Sequence, residues 1–299
     1  MQKAKEEVGR RKFLQIGAKA AAACTLTQIS AMGNLYAAGV AAGHAAASET
    51  AFKSLFDGKT LNGWTPKPRL AKEPSLGLWK VENGMIVGGQ DPTGVGSYLV
   101  SDQAFADFEL EIDAKPDWPA DTGIYVRANA QGTTGFQVNV DYRPHGTLGG
   151  YFGNGFGSFH AYEYGFTAEK DTQGRVTKLI PGKPSQPNDV GHLVTPDYMV
   201  APEQLLRVWR LNDWNQFRIR SVGAVPTLMT WVNDLKVSEL VTAKMVSPGW
   251  DPKVVVGLVG RAGHISLEVH NNAPGDWLGT DRWAPGAVCR WRNIRIREL

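Results

Sequence analysis

Gln137, Asn139 and Asp141 stand two residues apart, separated by the apolar Val138 and Val140 and preceded by Phe136. Alternate side chains of an extended strand share a face, so this spacing sets one hydrogen-bonding row over one apolar row. Such a row can bind the hydroxyls of a sugar, and it is also the pattern of a solvated sheet face. The same alternation recurs at 264–270, where Ile265, Leu267 and Val269 face one way and His264, Ser266, Glu268 and His270 the other. Glu268 and His270 are therefore neighbours on one face. They can act as a general base with its orienting partner, as two ligands of a divalent metal ion completed from another strand, or as a plain ion pair. Arg127, at the end of the Gly123–Ala128 run, can neutralise an oxyanion or pair with Asp141. His160 and Glu163 lie in a stretch crowded with rings (Tyr142, Tyr151, Phe152, Phe156, Phe159, Tyr162, Tyr164, Phe166), beside His145. Rings of this kind either stack on the apolar faces of sugars or pin their own loop to the fold.

Other reactive-looking groups are set aside. Glu109, Glu111 and Asp113 share a strand face, but glycoside hydrolysis by retention needs two carboxyls roughly 5 Å apart astride the bond, one of them held protonated. Charges of this kind normally point outward from a half-buried strand. The glycines between Gly149 and Gly157 precede no helix and no lysine at phosphate-loop spacing, so no nucleotide cofactor is indicated. Cys289 has no histidine near it in sequence and reads as a packing residue of the last strand.

These side chains need strands to position them. Phe108, Leu110, Ile112 and Ala114 alternate with charged residues, Asn83-Gly84 has hairpin-turn chemistry, and further strands are expected at 123–128, 216–221, 228–232, 254–259, 264–270 and 290–296. Helical periodicity is nearly absent. The pattern predicts an all-β fold of two packed antiparallel sheets, and about 250 residues make one such domain, 48–299. The stretch from about 142 to 212 is too long for a hairpin connection and reads as a lid or rim, with 172–189 polar and proline-punctuated enough for disorder.

Residues 1–47 read as an address. Arg10-Arg11-Lys12-Phe13-Leu14 is a twin-arginine pattern, an alanine-rich stretch follows, and Ala45-Ala46-Ala47 offers a cleavage site. The expected location is the periplasm or the exterior. Lipoprotein anchoring at Cys24 is disfavoured, because no branched residue stands three positions before it. The mature part holds no stretch expected to form a transmembrane helix. Removing 1–47 takes away six of 32 Lys+Arg and two of 29 Asp+Glu, which moves the formal charge from +3 to −1. A nearly neutral protein has no general pull on phosphate backbones, so nucleic acid is not an expected partner.

Several segments in order resemble the 3-keto-disaccharide hydrolase family, once known only as a domain of unknown function. They are Ser54–Trp64 (SLFDGKTLNGW), Trp79–Gly89, Asp107–Leu110, Thr122–Arg127, Gly135–Asp141, Asp213–Arg218, Trp231–Asp234 and Trp291–Leu299 (WRNIRIREL). The resemblance implies a jelly-roll sandwich of the concanavalin A-like lectin and glucanase type, with a concave sheet that receives sugar. In the family the position of Gln137 is usually glutamate, and those of Glu268 and His270 are commonly glutamine and histidine. An amide at 137 binds hydroxyls but accepts no proton in catalysis.

The implied substrate is a glycoside already oxidised at carbon 3, a small carbohydrate supplied by a separate sugar 3-dehydrogenase. The ketone acidifies the hydrogen on carbon 2 and makes the glycosidic oxygen a leaving group β to a carbonyl. His270, oriented by Glu268, would remove that proton while Arg127 or a divalent cation stabilises the enolate. Elimination at carbon 1 and hydration would complete a net hydrolysis, with Gln137, Asn139, Asp141, His160 and Glu163 holding the substrate. Two other readings of the same residues are a sugar-binding protein without catalysis and a partner subunit of an exported sugar oxidoreductase.

Overall fold

The computed structural model describes residues 51–70, 75–142, 146–185, 192–272 and 282–299. Residues 1–47, for which an address is expected, and His145 lie outside these residues. The chain from 51 onward is an all-β jelly-roll sandwich.

One sheet carries the candidate residues. Its strands run in the order His192–Val194, Phe159–Ala161, Leu148–Asn154, Gly135–Val140, Thr122–Ala128, Gly263–Val269, Ser97–Phe105 and Trp64–Pro68. Every pairing is antiparallel except that of Phe159–Ala161 with His192–Val194 at the edge. The second sheet is built around Phe108–Pro116, flanked by Asn215–Val222 and Val288–Glu298. Phe108, Leu110, Ile112 and Ala114 of that strand, and Ile124, Val126, Phe136, Val138, Val140, Ile265, Leu267 and Val269 of the first sheet, are buried between the layers. Period-2 alternation in the sequence thus becomes a single apolar interior, with the residues in between left on the outer faces.

The outer face of the second sheet explains Glu109, Glu111 and Asp113. Each meets an arginine of the last strand: Glu109 with Arg297 at 3.2 Å, Glu111 with Arg295 at 2.5 Å and Asp113 with Arg292 at 3.2 Å. Arg292 also lies 4.0 Å from the ring of Trp214. The carboxylates form a charge ladder on the sheet opposite the candidate site.

Three expectations are corrected. Residues 254–259 are helical: Pro252–Val259 is an α-helix whose N-cap Asp251 accepts a hydrogen bond from the Lys253 N–H at 2.8 Å, with Pro in the first turn. Val255 and Val259, four apart, are its buried side chains, so an apolar run that reads as a strand is ordered by its cap. A second helix, Pro202–Val208, also has Pro in its first turn, but its N-cap Ala201 makes no side-chain hydrogen bond. The stretch 142–212 is no simple lid. It supplies three strands of the first sheet, a separate hairpin of Tyr164–Lys170 with Val176–Pro184, and the helix Pro202–Val208. Most of its aromatics, including Tyr151, Phe156, Phe159, Tyr164 and Phe166, belong to the core. Within 172–185 the expected disorder is likewise replaced by strand over Val176–Pro184, where Val176 and Leu179 are buried, and 186–189 lie outside the described residues.

Among the described residues no helix is long and apolar enough to cross a membrane. Cys289 is fully buried, and burial pushes its thiol well above the usual range.

Candidate functional site

The site grows from the register of three strands. Gly123 pairs with Asn139, Ile124 with both Val138 and Leu267, and Tyr125 with both Gln137 and Ser266. Gln137 and Glu268 stand on strands that flank the Thr122–Ala128 strand, and near its start Gly123 has no side chain. A Cβ at 123 would lie 2.4 Å from Gln137 Cγ and Nε2. Gln137 therefore leans across the glycine, and its Nε2 donates to Glu268 Oε2 at 2.6 Å. The opposite end of the amide is fixed too, because Tyr125 OH donates to Gln137 Oε1 at 3.2 Å and Asn154 Nδ2 donates to Tyr125 OH at 3.2 Å.

Glu268 is fully buried, which demands a compensating charge. Arg69, from the turn after Trp64–Pro68, provides it: Nη1 donates to Glu268 Oε1 and Nη2 donates to His270 Nε2 at 2.9 Å. Burial by itself would lower the guanidinium's affinity for its proton. The carboxylate of Glu268 more than offsets that and holds Arg69 above its ordinary value. Burial pushes the phenols of Tyr98 and Tyr125 well above the usual range, so both hydroxyls stay protonated donors. Tyr98 also sits beneath Arg69, whose guanidinium carbon is 5.3 Å from the ring centroid.

His270 closes the cluster. Its Nδ1 lies 2.7 Å from the carbonyl oxygen of Asn271, which assigns the ring proton to Nδ1 and leaves the lone pair on Nε2, where Arg69 donates. Arg282 Nη1 lies 3.0 Å from Nδ1 and also contacts Nε2, while Asp121 Oδ2 stands 4.0 Å from Nε2 and 3.9 Å from Arg282 Nε. The backbone is pinned as well, with Gln90 Nε2 donating to the His270 carbonyl at 2.8 Å. The result is a half-buried imidazole whose Nε2 lies between two guanidinium groups.

One wall of the site is a short loop after the Thr122–Ala128 strand. Asn129 Oδ1 accepts from the N–H groups of Thr133 and Thr134 at 3.0 and 3.3 Å. Gly132, at φ 75°, comes so close to the sheet that a Cβ there would lie 2.7 Å from both Ser266 Oγ and Val100 Cγ2. Only glycine takes that backbone conformation without strain while lying this near the sheet.

Residues 51–297 match one family model, described as a 3-keto-alpha-glucoside-1,2-lyase-like domain. The chain belongs to this family. A 3-keto-disaccharide hydrolase of Bacteroides thetaiotaomicron is 34% identical over 80 residues, a stretch covering 25% of this chain and 27% of that relative's length. Among solved structures, a candidate glycosyl hydrolase from Parabacteroides distasonis aligns over 83% of this chain and 100% of that chain at 18% identity and a TM-score of 0.45. A carbohydrate-binding module from Bacillus subtilis covers 79% of this chain and 96% of that chain at 13% identity and a TM-score of 0.39.

Within this family member the structure joins Gln137, Glu268 and His270, and it places Asn139 and Asp141 on the same face, buried. Asp141 packs against the backbone of Gly146, where a Cβ would meet its Oδ2 at 2.4 Å. His160 shares the sheet face, two strands beyond Gln137. Arg127 is elsewhere. Its backbone has a φ of 52°, which turns the side chain out of the strand's alternation, and its guanidinium donates to the carbonyls of Ala106, Gly223 and Gly260 at 3.2, 3.3 and 2.9 Å. It ties loops together at the other end of the strand, and neither the oxyanion role nor the Asp141 pairing describes it. Glu163 is exposed, and its backbone N–H points to Met199 Sδ at 3.2 Å. The expected pairing of Glu268 with His270 is mediated by Arg69.

The residues do not fit a divalent cation. Both oxygens of Glu268 hold nitrogen donors, and His270 Nε2 faces two guanidinium groups where a cation would be repelled. Among the described residues no three His, Cys, Asp or Glu side chains gather as a metal set. Arg69, Arg282, Tyr98, Tyr125 and Asp121 escaped the sequence reading, since each belongs to the site only through tertiary placement. Arg282 lies next to 273–281, where no strand pattern marks it. Tyr98 and Tyr125 carried a usable signal, as large polar aromatics on strands whose apolar register excludes them from the core.

Proposed function

We propose that this protein cleaves 3-keto-glycosides, 3-keto-disaccharides among them, after export by the twin-arginine route and downstream of a sugar 3-dehydrogenase. The observation that carries this reading is the unbroken chain of hydrogen bonds Gln137–Glu268–Arg69–His270 across one sheet face. As Arg69 turns from His270 Nε2 to the carbon 3 oxygen, Nε2 takes the proton from carbon 2; Asp121, whose Oδ2 stands 4.0 Å away, offsets the charge of the imidazolium, and the resulting enolate places its charge on the carbon 3 oxygen. Arg69 and Arg282, both against the imidazole, are the groups able to receive that charge in a buried setting. Collapse of the enolate restores the ketone, forms the C1–C2 double bond and breaks the C1–O bond. The imidazolium returns its proton to the departing oxygen. Water then adds its hydroxyl to carbon 1 and a proton to carbon 2, giving the free 3-keto sugar. Gln137, Asn139 and Asp141 orient the ring.

Turnover of 3-keto-trehalose by the His270→Ala variant tests the assignment. A base of this kind contributes about 100-fold or more, so the rate should fall at least that far with substrate affinity kept. Undiminished turnover would refute it. Chelator should leave the wild-type rate unchanged.

One observation favours a second reading, a sugar-binding protein without catalysis: residue 137 is an amide, and it occupies Glu268 Oε2. Titration with plain and 3-oxidised disaccharides separates the two, since a pure binder neither consumes the ketone nor requires it.

A further inference from the structure

The outer face of the second sheet, opposite the candidate site, holds Arg218, Arg220, Arg292, Arg295 and Arg297 over three carboxylates. The register of the strands Asn215–Val222, Phe108–Pro116 and Val288–Glu298 sets Arg218 level with Glu111 and Arg295, and Arg220 level with Glu109 and Arg297. The carboxylates are the sunken partners. Glu111 keeps 13% of its side chain exposed against 53% for Arg295, and Asp113 keeps 11% against 40% for Arg292. Solvent therefore meets guanidinium groups, although ion pairs lie beneath them. Their positions are fixed from two sides. Glu111 Oε2 accepts from Arg295 Nε at 2.6 Å, while Arg218 lies 4.4 Å from the ring of Trp231, and Arg295 and Arg297 lie 5.0 and 4.9 Å from that of Phe52. Arg220 makes no ion pair among the described residues, and these eight side chains hold two more cations than carboxylates.

We infer that this face is a docking surface for a carboxylated polysaccharide, a linear chain of uronate rings, separate from the candidate site. The arginines of Asn215–Val222 and of Val288–Glu298 form two columns, two strand steps and so roughly 10 Å apart at the usual sheet spacing. That span is comparable to the one between carboxylates two rings apart in an extended 1→4-linked uronate chain. A guanidinium held along one edge keeps its remaining N–H groups for a second carboxylate, and being anchored it loses little freedom on binding. Trp231 and Trp214, half-buried beside the arginines, add rings on which the apolar C–H face of a sugar can stack. Other polyanions fit less well. An excess of two charges is small for a phosphate backbone, which its binders meet with roughly six to ten contacts. Every exposed large apolar side chain of the described residues lies off these three strands, so they offer nothing to insert into a lipid surface. Docking here uses no member of the Gln137–Glu268–Arg69–His270 chain and stands apart from the proposed reaction.

Calorimetric titration with polygalacturonate, with neutral dextran as the control, tests the surface. Wild-type protein should bind polygalacturonate and not dextran, and its affinity should fall about ten-fold between about 50 and about 200 mM salt. Arg220→Gln combined with Arg295→Gln should weaken binding at least about ten-fold. Arg220→Gln alone, which breaks no ion pair, should weaken it about three-fold and decides the matter if the double variant melts early in urea. Lys178→Gln with Lys183→Gln removes the same number of charges from the hairpin of Tyr164–Lys170 with Val176–Pro184, and should leave affinity within about two-fold. Equal losses in the two double variants, no binding of polygalacturonate, or tighter binding of duplex DNA or phosphatidylglycerol vesicles overturns the inference.

Discussion

Gln137 and Glu268, 131 residues apart in sequence, meet at 2.6 Å above a glycine of the strand that separates them. An amide donor and a carboxylate acceptor suit each other at that distance, and two carboxylates would not.

Replacing Gln137 by glutamate should make stability depend on pH. Two carboxyls in that contact cannot both ionise, so one is held protonated and its folded pKa rises above the unfolded value of about 4.3. A raised acid pKa leaves stability intact below about pH 4 and removes it as pH climbs through the folded value. The difference in unfolding free energy between Gln137→Glu and wild type, small at pH 4, should reach roughly 2 kcal/mol at pH 8 in urea melts. A difference independent of pH would show that the two side chains do not touch.

Arg69 is the counter-charge of a carboxylate that has lost its water. Truncating it to alanine leaves Glu268 buried and uncompensated, and should cost about 3–5 kcal/mol by urea denaturation. Lysine should recover little, because one ammonium cannot span Glu268 and His270 as the two arms of a guanidinium do. Adding Glu268→Gln to Arg69→Ala should return a good part of the loss, measured as a double-mutant cycle.

Arg127 should behave as a fastener. Its three donations to main-chain carbonyls join loops from different parts of the chain, so Arg127→Ala should lower stability by about 2–4 kcal/mol. The kcat of the folded fraction, assayed below its melting temperature, should stay within about two-fold of wild type. A selective loss of kcat would return Arg127 to the chemistry.

Alkaline pH should unfold the protein cooperatively. Burial raises Tyr98, Tyr125, Tyr151 and Tyr164, and the thiol of Cys289, above their ordinary values. Each therefore adds stability that is complete below its unfolded pKa and lost as pH rises through its folded one, with loss setting in above about pH 8.5 for the thiol and 10 for the phenols. Phenolate absorbance should rise in step with loss of the folded circular-dichroism signal. In the Cys24→Ser chain, Cys289 should resist a thiol reagent at pH 8 until denaturant is added.

The sandwich was largely legible because each buried strand declares itself through alternation: Phe108 to Ala114, Phe136 to Val140 and Ile265 to Val269 all face inward as their spacing requires. The same parity placed Gln137, Glu268 and His270 on one side. It could not reveal that Arg69 stands between the last two, since a guanidinium arriving from a turn 199 residues away in sequence obeys no period. Nor could it foresee Arg127, whose left-handed backbone breaks the very alternation used to orient it. Val254 to Val259 misled for a different reason, being an apolar run rich in valine, so that only Asp251-Pro252 marks the helix.

Gly123 lies beneath the contact of Gln137 with Glu268, and what it contributes there is vacancy. A methyl group at that spot would wedge the amide away from the acid and unhook every link that follows, from the first guanidinium to the imidazole. The order of this face is thus held by a residue that offers no functional group. A search for kindred catalysts should look for that missing carbon as closely as for the histidine.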